Sequence, residues 1–456
     1  MASTYLSKTP ASAGNQKTFT WSGWVKRAKL TGADAQYMFS SFYGNASRYS
    51  LIRFTTTDEI GIFSGLYTTG STTTQLINLQ TSAKYRDTSA WYHIVLSVDT
   101  TQATSTDRVK LYVNGNLETF DTGTGFHLLP TQNSDTFFNS TYTHRVGSYD
   151  GSIEFLDGSM SHVHWIDGTA YDASTFGETD ATTGIWKPKT APSVTYGTNG
   201  FFLKFENSGS MGTDSSPNGN NFTVNGTLTQ IVDTPSNVFA TLNALTKTNA
   251  SMIFTNGNTT CTATGNWIGN MATLGATKGK WYAEAKITDP LNYSIGFAKF
   301  GGTFQNNMNT VNSGYLGIAS GDSWGFWGNG ASANLFYDNV DHSYGSVTSA
   351  NDIMMLAMDL DNGNLYWGKN GTWFNSSNPA TNTSPAISGI TVDEFMTFGT
   401  GLENGSVQWN FGNGYFGTTA VSSATSDESG LGIFEYTVPS GYYALCTKNI
   451  NEQEYD

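Results

Sequence analysis

The stretch MDLDNGNLYWGKNGTWF, residues 358–374, decides the fold. Its acidic residues, Asn and Gly suit a calcium loop, a hairpin turn or a sugar-binding rim. An EF-type loop needs ligands at alternate positions, Gly at the sixth and an acid at the twelfth. Counting from Asp359 puts Asn364 sixth and Asn370 twelfth, so that pattern fails. Asn362-Gly363 lies between two strand-like runs, IMMLAMDL and NLYWGK, and Asn-Gly in that setting is a hairpin signal because both residues accept positive φ. Asn370-Gly371 reads as the next turn. A looser copy lies upstream: WYHIVLSVD, a polar loop, then RVKLYVNGNLE with its own Asn114-Gly115. The two copies predict one sandwich topology used twice.

The rest of the chain is consistent with β structure. Of 456 residues only 13% are charged, whereas 14% are aromatic and 50 are Gly, a profile of short strands joined by turns. Strands are predicted at 18–27, 90–99, 108–120, 160–168 and 200–207, then at 279–287, 292–300, 313–320, 322–330, 352–360, 364–371 and 406–414. No segment of ten residues has helical periodicity. The predicted class is all-β, with two concanavalin A-like antiparallel sandwiches in tandem: a first domain over 1–206, a Gly/Ser/Asn-rich linker or wrapping arm over 207–239, and a second domain over 240–456.

The net charge of −14 speaks against a nucleic-acid partner, whose binding relies on clustered Lys and Arg. No apolar run approaches the roughly 18 residues of a membrane span, and the start lacks the pattern of a secretory signal, so membrane insertion and export are not expected. Cys261 and Cys446 are read as two buried thiols or one disulfide.

Residues 17–206 resemble the laminin G-like branch of the concanavalin A-like lectin/glucanase superfamily. The resemblance rests on FTWSGWVKR, WYHIVLSVD, KLYVNGNLE and the closing FLDGSMSHVHWIDGTAYDASTF (155–176). Residues 279–416 resemble a SPRY domain through GKWYAEAKI, YSIGFAKF, MLAMDLDNGNLYWGKNGTWF and the signature Asn410, Phe411, Gly412. The joining segment and the tail VPSGYYALCTKN are similar to segments of virion proteins of tailed, particularly marine, bacteriophages. This resemblance implies a virion protein, assembled in the host cytoplasm, with other virion proteins as partners. Repetition on a particle suits a homo-oligomer that binds by avidity, and no heptad region supports a coiled coil.

Glycanases of the superfamily carry alternating carboxylates on one strand. The adjacent pairs Asp58-Glu59 and Asp393-Glu394 point to opposite strand faces and read as solvated turn acids, so no catalytic residue is assigned and no enzyme is expected. His162 and His164 alternate beside Asp167, a weak metal pattern whose plainer reading has Val163 and Trp165 in the core and both imidazoles outside. No cofactor is expected apart from calcium, for which Asp99, Asp157 and Asp167 are the candidate ligands. The binding candidates are aromatic: Trp324, Trp327, Trp367 and Trp373, of which Trp324 and Trp373 are taken as exposed. The expected activity is non-covalent adhesion to host-surface polysaccharide. The alternatives are capsid decoration or a head-fibre or connector role, a polysaccharide depolymerase, and a cytosolic peptide-binding adaptor.

Overall fold

The computed structural model describes every residue except 1–3, 31, 33, 44–47, 67–73, 124, 182–183, 247–250, 309, 311–312, 319–320 and 456. Two compact units form, Met1–Gln230 and Ile231–Asp456. In unit 1 the sandwich consists of β1 (Tyr5–Lys8), β2 (Thr18–Arg27), β3 (Gln36–Phe42), β4 (Arg48–Phe54), β5 (Ile60–Leu66), β6 (Thr74–Gln80), β7 (Trp91–Asp99), β8 (Val109–Val113), β9 (Asn116–Leu117), β10 (Thr143–Val146) and β11 (Gly158–Asp167). One sheet runs β6-β5-β4-β3-β10-β1 and the other β11-β2-β7-β8-β9, each extended by short edge strands.

Unit 2 contains β12 (Ile268–Met271), β13 (Lys280–Asp289), β14 (Tyr293–Lys299), β15 (Ser323–Gly328), β16 (Ala333–Tyr337), β17 (Val340–Ser343), β18 (Ile353–Asp359), β19 (Asn364–Lys369), β20 (Thr372–Trp373), β21 (Met396–Leu402) and β22 (Ser406–Asn410). Its sheets run β17-β16-β15-β14-β21-β12 and β22-β13-β18-β19-β20. Each of these eleven strands of unit 1 therefore has its counterpart eleven places later, in the same order within the two sheets, while the short edge strands that extend the sheets differ. The two units share one jelly-roll topology, as the repeated hairpin predicts.

Alternation explains the packing. Along β2, Phe19, Trp21 and Val25 enter the core of unit 1 with Ile94, Leu96 and Val98 of β7. In unit 2, Trp281, Ala283, Ala285 and Ile287 of β13 meet Met354, Leu356 and Met358 of β18. Asn-Gly turns end the matching hairpins. Asn114-Gly115 (φ 49° and 84°) and Asn370-Gly371 (φ 50° and 82°) have the double positive φ of a type I′ turn. Each Asn is fastened to the strand beside it: His93 N–H donates to Asn114 Oδ1 (2.8 Å) and Ile353 N–H to Asn370 Oδ1 (2.9 Å).

The 358–374 stretch departs from expectation in one detail. Asp359 pairs with Asn364, so four residues connect β18 to β19, and of Asn362 and Gly363 only Gly363 has positive φ (66°). The Asp359 carboxylate closes this turn, accepting from Asn362 N–H and Asn362 Nδ2 and pairing with Lys280 Nζ at 3.2 Å.

Residues 207–230 belong to unit 1, where Thr223–Asn225 pairs with β1. Asp214 anchors this arm, accepting from the N–H groups of Phe202, Ser216 and Asn220. Residues 231–239 lie in unit 2, with Phe239 bridged to Cys446. Cys261 and Cys446 are both free and buried, in separate apolar clusters. A helix missed in the sequence, α1 (Thr447–Tyr455), follows them.

Candidate functional site

Four aromatic rings of unit 2 line a cavity of about 300 Å³, completed by Leu316 and Ser294. Trp327 projects from the outer face of β15, opposite to the inward Trp324 and Phe326, and Phe336 projects from β16. Trp267 immediately precedes β12, and Tyr315 lies on the segment 313–318. The rings form a closed circuit. Centroids are 5.5 Å apart for Trp267 and Tyr315, 5.5 Å for Tyr315 and Phe336, 6.1 Å for Phe336 and Trp327, and 5.7 Å for Trp327 and Trp267. Successive planes turn by 65–72°, the edge-to-face preference of aromatic quadrupoles and the arrangement of walls in a box.

Glycines make this site possible. The sequence predicts a strand over 313–320, but 313–318 instead forms turns on the outer face of the sheet, and 319–320 lie outside the described residues. Backbone can lie that close only where the sheet lacks Cβ atoms. A Cβ on Gly401 would sit 2.3 Å from Gly314 O and 2.8 Å from Tyr315 Cα, and one on Gly325 would sit 2.7 Å from Leu316 Cβ. Gly401→Ala should therefore shift the Tyr315 wall at a cost of about 1–3 kcal/mol. The measurement is a chemical melt of unit 2 paired with ligand titration, and an unchanged midpoint with unchanged binding would contradict the packing argument.

The polar groups of the pocket are few. Ser294 Oγ accepts the Leu316 N–H at 3.1 Å, and Trp327 Nε1 is buried without a hydrogen-bond partner among the described residues.

Of the four tryptophans singled out in the sequence, only Trp327 reaches the pocket. Trp324 is not exposed: it is 4% accessible and faces the core, because it shares strand parity with Phe326. Trp367 is fully buried, its Nε1 donating to Ile295 O at 3.1 Å. Trp373 is half-buried against Tyr282 and Tyr366. Trp267, Tyr315 and Phe336 were missed. Phe336 on β16 was within reach of the alternation argument, whereas Trp267 and Tyr315 arrive on irregular segments.

The three aspartates do not form one site. Asp99 pairs with Thr18 and Asp167 with Phe19 at one end of β2, while Asp157 precedes Gly158, which pairs with Arg27 at the other. At the strand rise these ends are roughly 30 Å apart. Asp99 accepts from Thr101 and Gln102, and Asp167 from Asn15 N–H, Asn139 Nδ2 and Asn199 N–H. Among the described residues no group of three His, Cys, Asp or Glu side chains is placed to hold a metal.

The histidine pattern is also corrected. A bulge between Ser161 and His164 interrupts β11 and gives His162 a φ of 48°. His164 is 1% accessible, stacked on Phe202 with centroids 3.8 Å apart, rather than facing solvent. Asp58 and Glu59 are buried, not solvated: Asp58 binds Arg27 and Arg86, and Glu59 binds Lys84, Thr55 and Thr57.

The architecture defines an all-β protein of two concanavalin A-like sandwiches. Residues 2–175 match the laminin G-like family model of the concanavalin A-like lectin/glucanase superfamily. Among solved structures, the SPRY domain of human HERC1 is similar at 15% identity, covering 35% of this chain and 91% of that one, with a TM-score of 0.27. A human SPRY domain matches at 14% identity (35% and 94% covered, TM-score 0.27), and the TRIM65 PSpry domain at 14% (38% and 91%, TM-score 0.28).

Proposed function

We propose that this protein is a non-enzymatic structural protein of a bacteriophage virion that adheres to host-surface polysaccharide through the aromatic pocket of unit 2. The observation that carries the binding role is the closed circuit of Trp267, Tyr315, Phe336 and Trp327 around an open cavity. Aromatic walls left with a void forgo packing contacts, a cost expected where a ligand group is to be held. A non-covalent role fits the residues that line it, none of which is a carboxylate. The virion assignment rests on the resemblance of the joining segment and tail. Homo-oligomeric display on a particle would multiply weak single sites by avidity.

Purified host-surface polysaccharide should bind the native protein and lose about tenfold or more in affinity with Trp327→Ala, as expected for an aromatic hot spot. Trp373→Ala, which lies outside the pocket, should bind as the native protein does. Equal binding by all three would place the polysaccharide site outside this pocket, and no binding by any of them would move the assignment to capsid decoration or a connector between virion subunits. Release of new reducing ends would move it to a depolymerase.

A further inference from the structure

We infer that the group held in the unit 2 pocket is a quaternary ammonium, the trimethylammonium end of a choline-type substituent on the surface ligand. This inference rests on the reading of the pocket as the binding site and specifies what enters it.

The dimensions come first. The four ring-to-ring sides, 5.5, 5.5, 6.1 and 5.7 Å, make a closed circuit of nearly equal sides. With sides this short, a group held among the four rings lies inside the roughly 6 Å within which a cation is attracted by a ring face. A cavity of about 300 Å³ leaves room for three methyl groups and the start of a tether.

The shortage of hydrogen-bonding groups then narrows the chemistry. A pyranose brings several hydroxyls, and a primary ammonium brings three N–H donors that need acceptors. Among the described lining residues the polar side-chain groups are two hydroxyls, Ser294 Oγ, which accepts the Leu316 N–H, and that of Tyr315, together with the indole N–H groups of Trp267 and Trp327; none is a carboxylate or amide. Sugars and lysine-like amines would leave polar groups unpaired there, at a cost in affinity. A quaternary ammonium has no N–H to satisfy, and its charge is stabilised by ring quadrupoles. The net charge of −14 favours a cationic over an anionic occupant at long range. A neutral group of the same shape would gain only the apolar contact, which makes it the decisive control.

The test uses the full chain and its tryptophan fluorescence. Choline should give a saturable change, and the neutral isostere 3,3-dimethylbutan-1-ol should bind at least about tenfold more weakly. Trp327→Ala should abolish the choline response, while Trp327→Phe, which keeps a ring face, should retain part of it; far-UV circular dichroism checks that both fold. Equal affinity for choline and its isostere, or no saturable response to choline, would overturn the inference. The outcomes stay separable from those of the proposed function. Polysaccharide binding that needs Trp327 without a preference for choline sinks the inference alone. Choline binding without Trp327-dependent polysaccharide binding sinks the adhesion reading alone.

Discussion

Acidification from pH 7 to pH 5 should destabilise unit 1 by about 6 kcal/mol and leave unit 2 folded. Three histidines of unit 1 are buried, and two of them, His93 and His144, are neutral by geometry because each accepts an N–H on one ring nitrogen. The Trp186 indole N–H donates to His93 Nδ1 at 3.0 Å, so the proton of His93 resides on Nε2, which faces Ser22 Oγ at 2.9 Å. His144 Nε2 accepts the Asn139 N–H, leaving Nδ1–H for Tyr142 O. His164 Nδ1 meets the Tyr196 hydroxyl. Burial lowers His93 to about 3, His144 to about 4 and His164 well below 6.5.

Folded-state values below the unfolded one mean that stability is complete above pH 6.5 and falls as pH drops toward the folded values, because only the unfolded chain takes up protons in that window. Each group costs about 1.4 kcal/mol per pH unit, hence about 2 kcal/mol by pH 5. Their sum is comparable to the whole stability of an ordinary domain. Unit 2 responds in the opposite sense. Burial raises Glu284 to about 7, against hydrogen bonds from the N–H groups of Glu435 and Tyr436, from Tyr282 and from Asn410. Its contribution is complete below the unfolded value near 4.5 and is lost as pH rises through 7. Hydrogen exchange followed by mass spectrometry, corrected for intrinsic rates, should show unit 1 opening first at pH 5. Unchanged protection of unit 1, or earlier opening of unit 2, would contradict this assignment.

Asp58→Ala should cost unit 1 about 3–5 kcal/mol, because it strands a buried cation. Arg27 is inaccessible to solvent, lies 4.4 Å from the Phe54 ring centroid and donates Nη1 to Tyr85 O. Its Nη2 donates to Asp58 at 2.9 Å, and Arg86 Nε reaches the other carboxylate oxygen at 3.0 Å. Arg27→Met removes the cation instead of stranding it and should cost less. Urea melts of both variants check the order, and a loss below 1 kcal/mol for Asp58→Ala, or a reversed order, would refute it.

Much of the fold was legible because alternation and Asn-Gly turns are local signals. TFTWSGWVKR was read with the bounds that β2 has, and Asn114-Gly115 and Asn370-Gly371 identified the repeated hairpin. Strands β3 to β6 escaped notice: Gln36–Phe42 and Ile60–Leu66 are interrupted by Ser and Gly, whose place in the sheet is set by neighbours rather than by their own preference. The site was less legible. Parity along SWGFWG separates Trp327 from Trp324, but which parity faces the core depends on the partner sheet. Trp267 and Tyr315 meet Trp327 only because the covering segment can rest on Gly325 and Gly401, a long-range accommodation that no local window contains. The acids and histidines misled for a related reason: a buried Asp58 or His164 looks like a solvated one until its partners are in place.

The central claim is that the pocket of unit 2 is where this protein meets the host. Competition for phage adsorption tests it most directly. Excess native protein and excess Trp373→Ala should slow adsorption equally, while folded Trp327→Ala should not slow it. Competition by Trp327→Ala at the native level, or none from correctly assembled native protein, would contradict the claim.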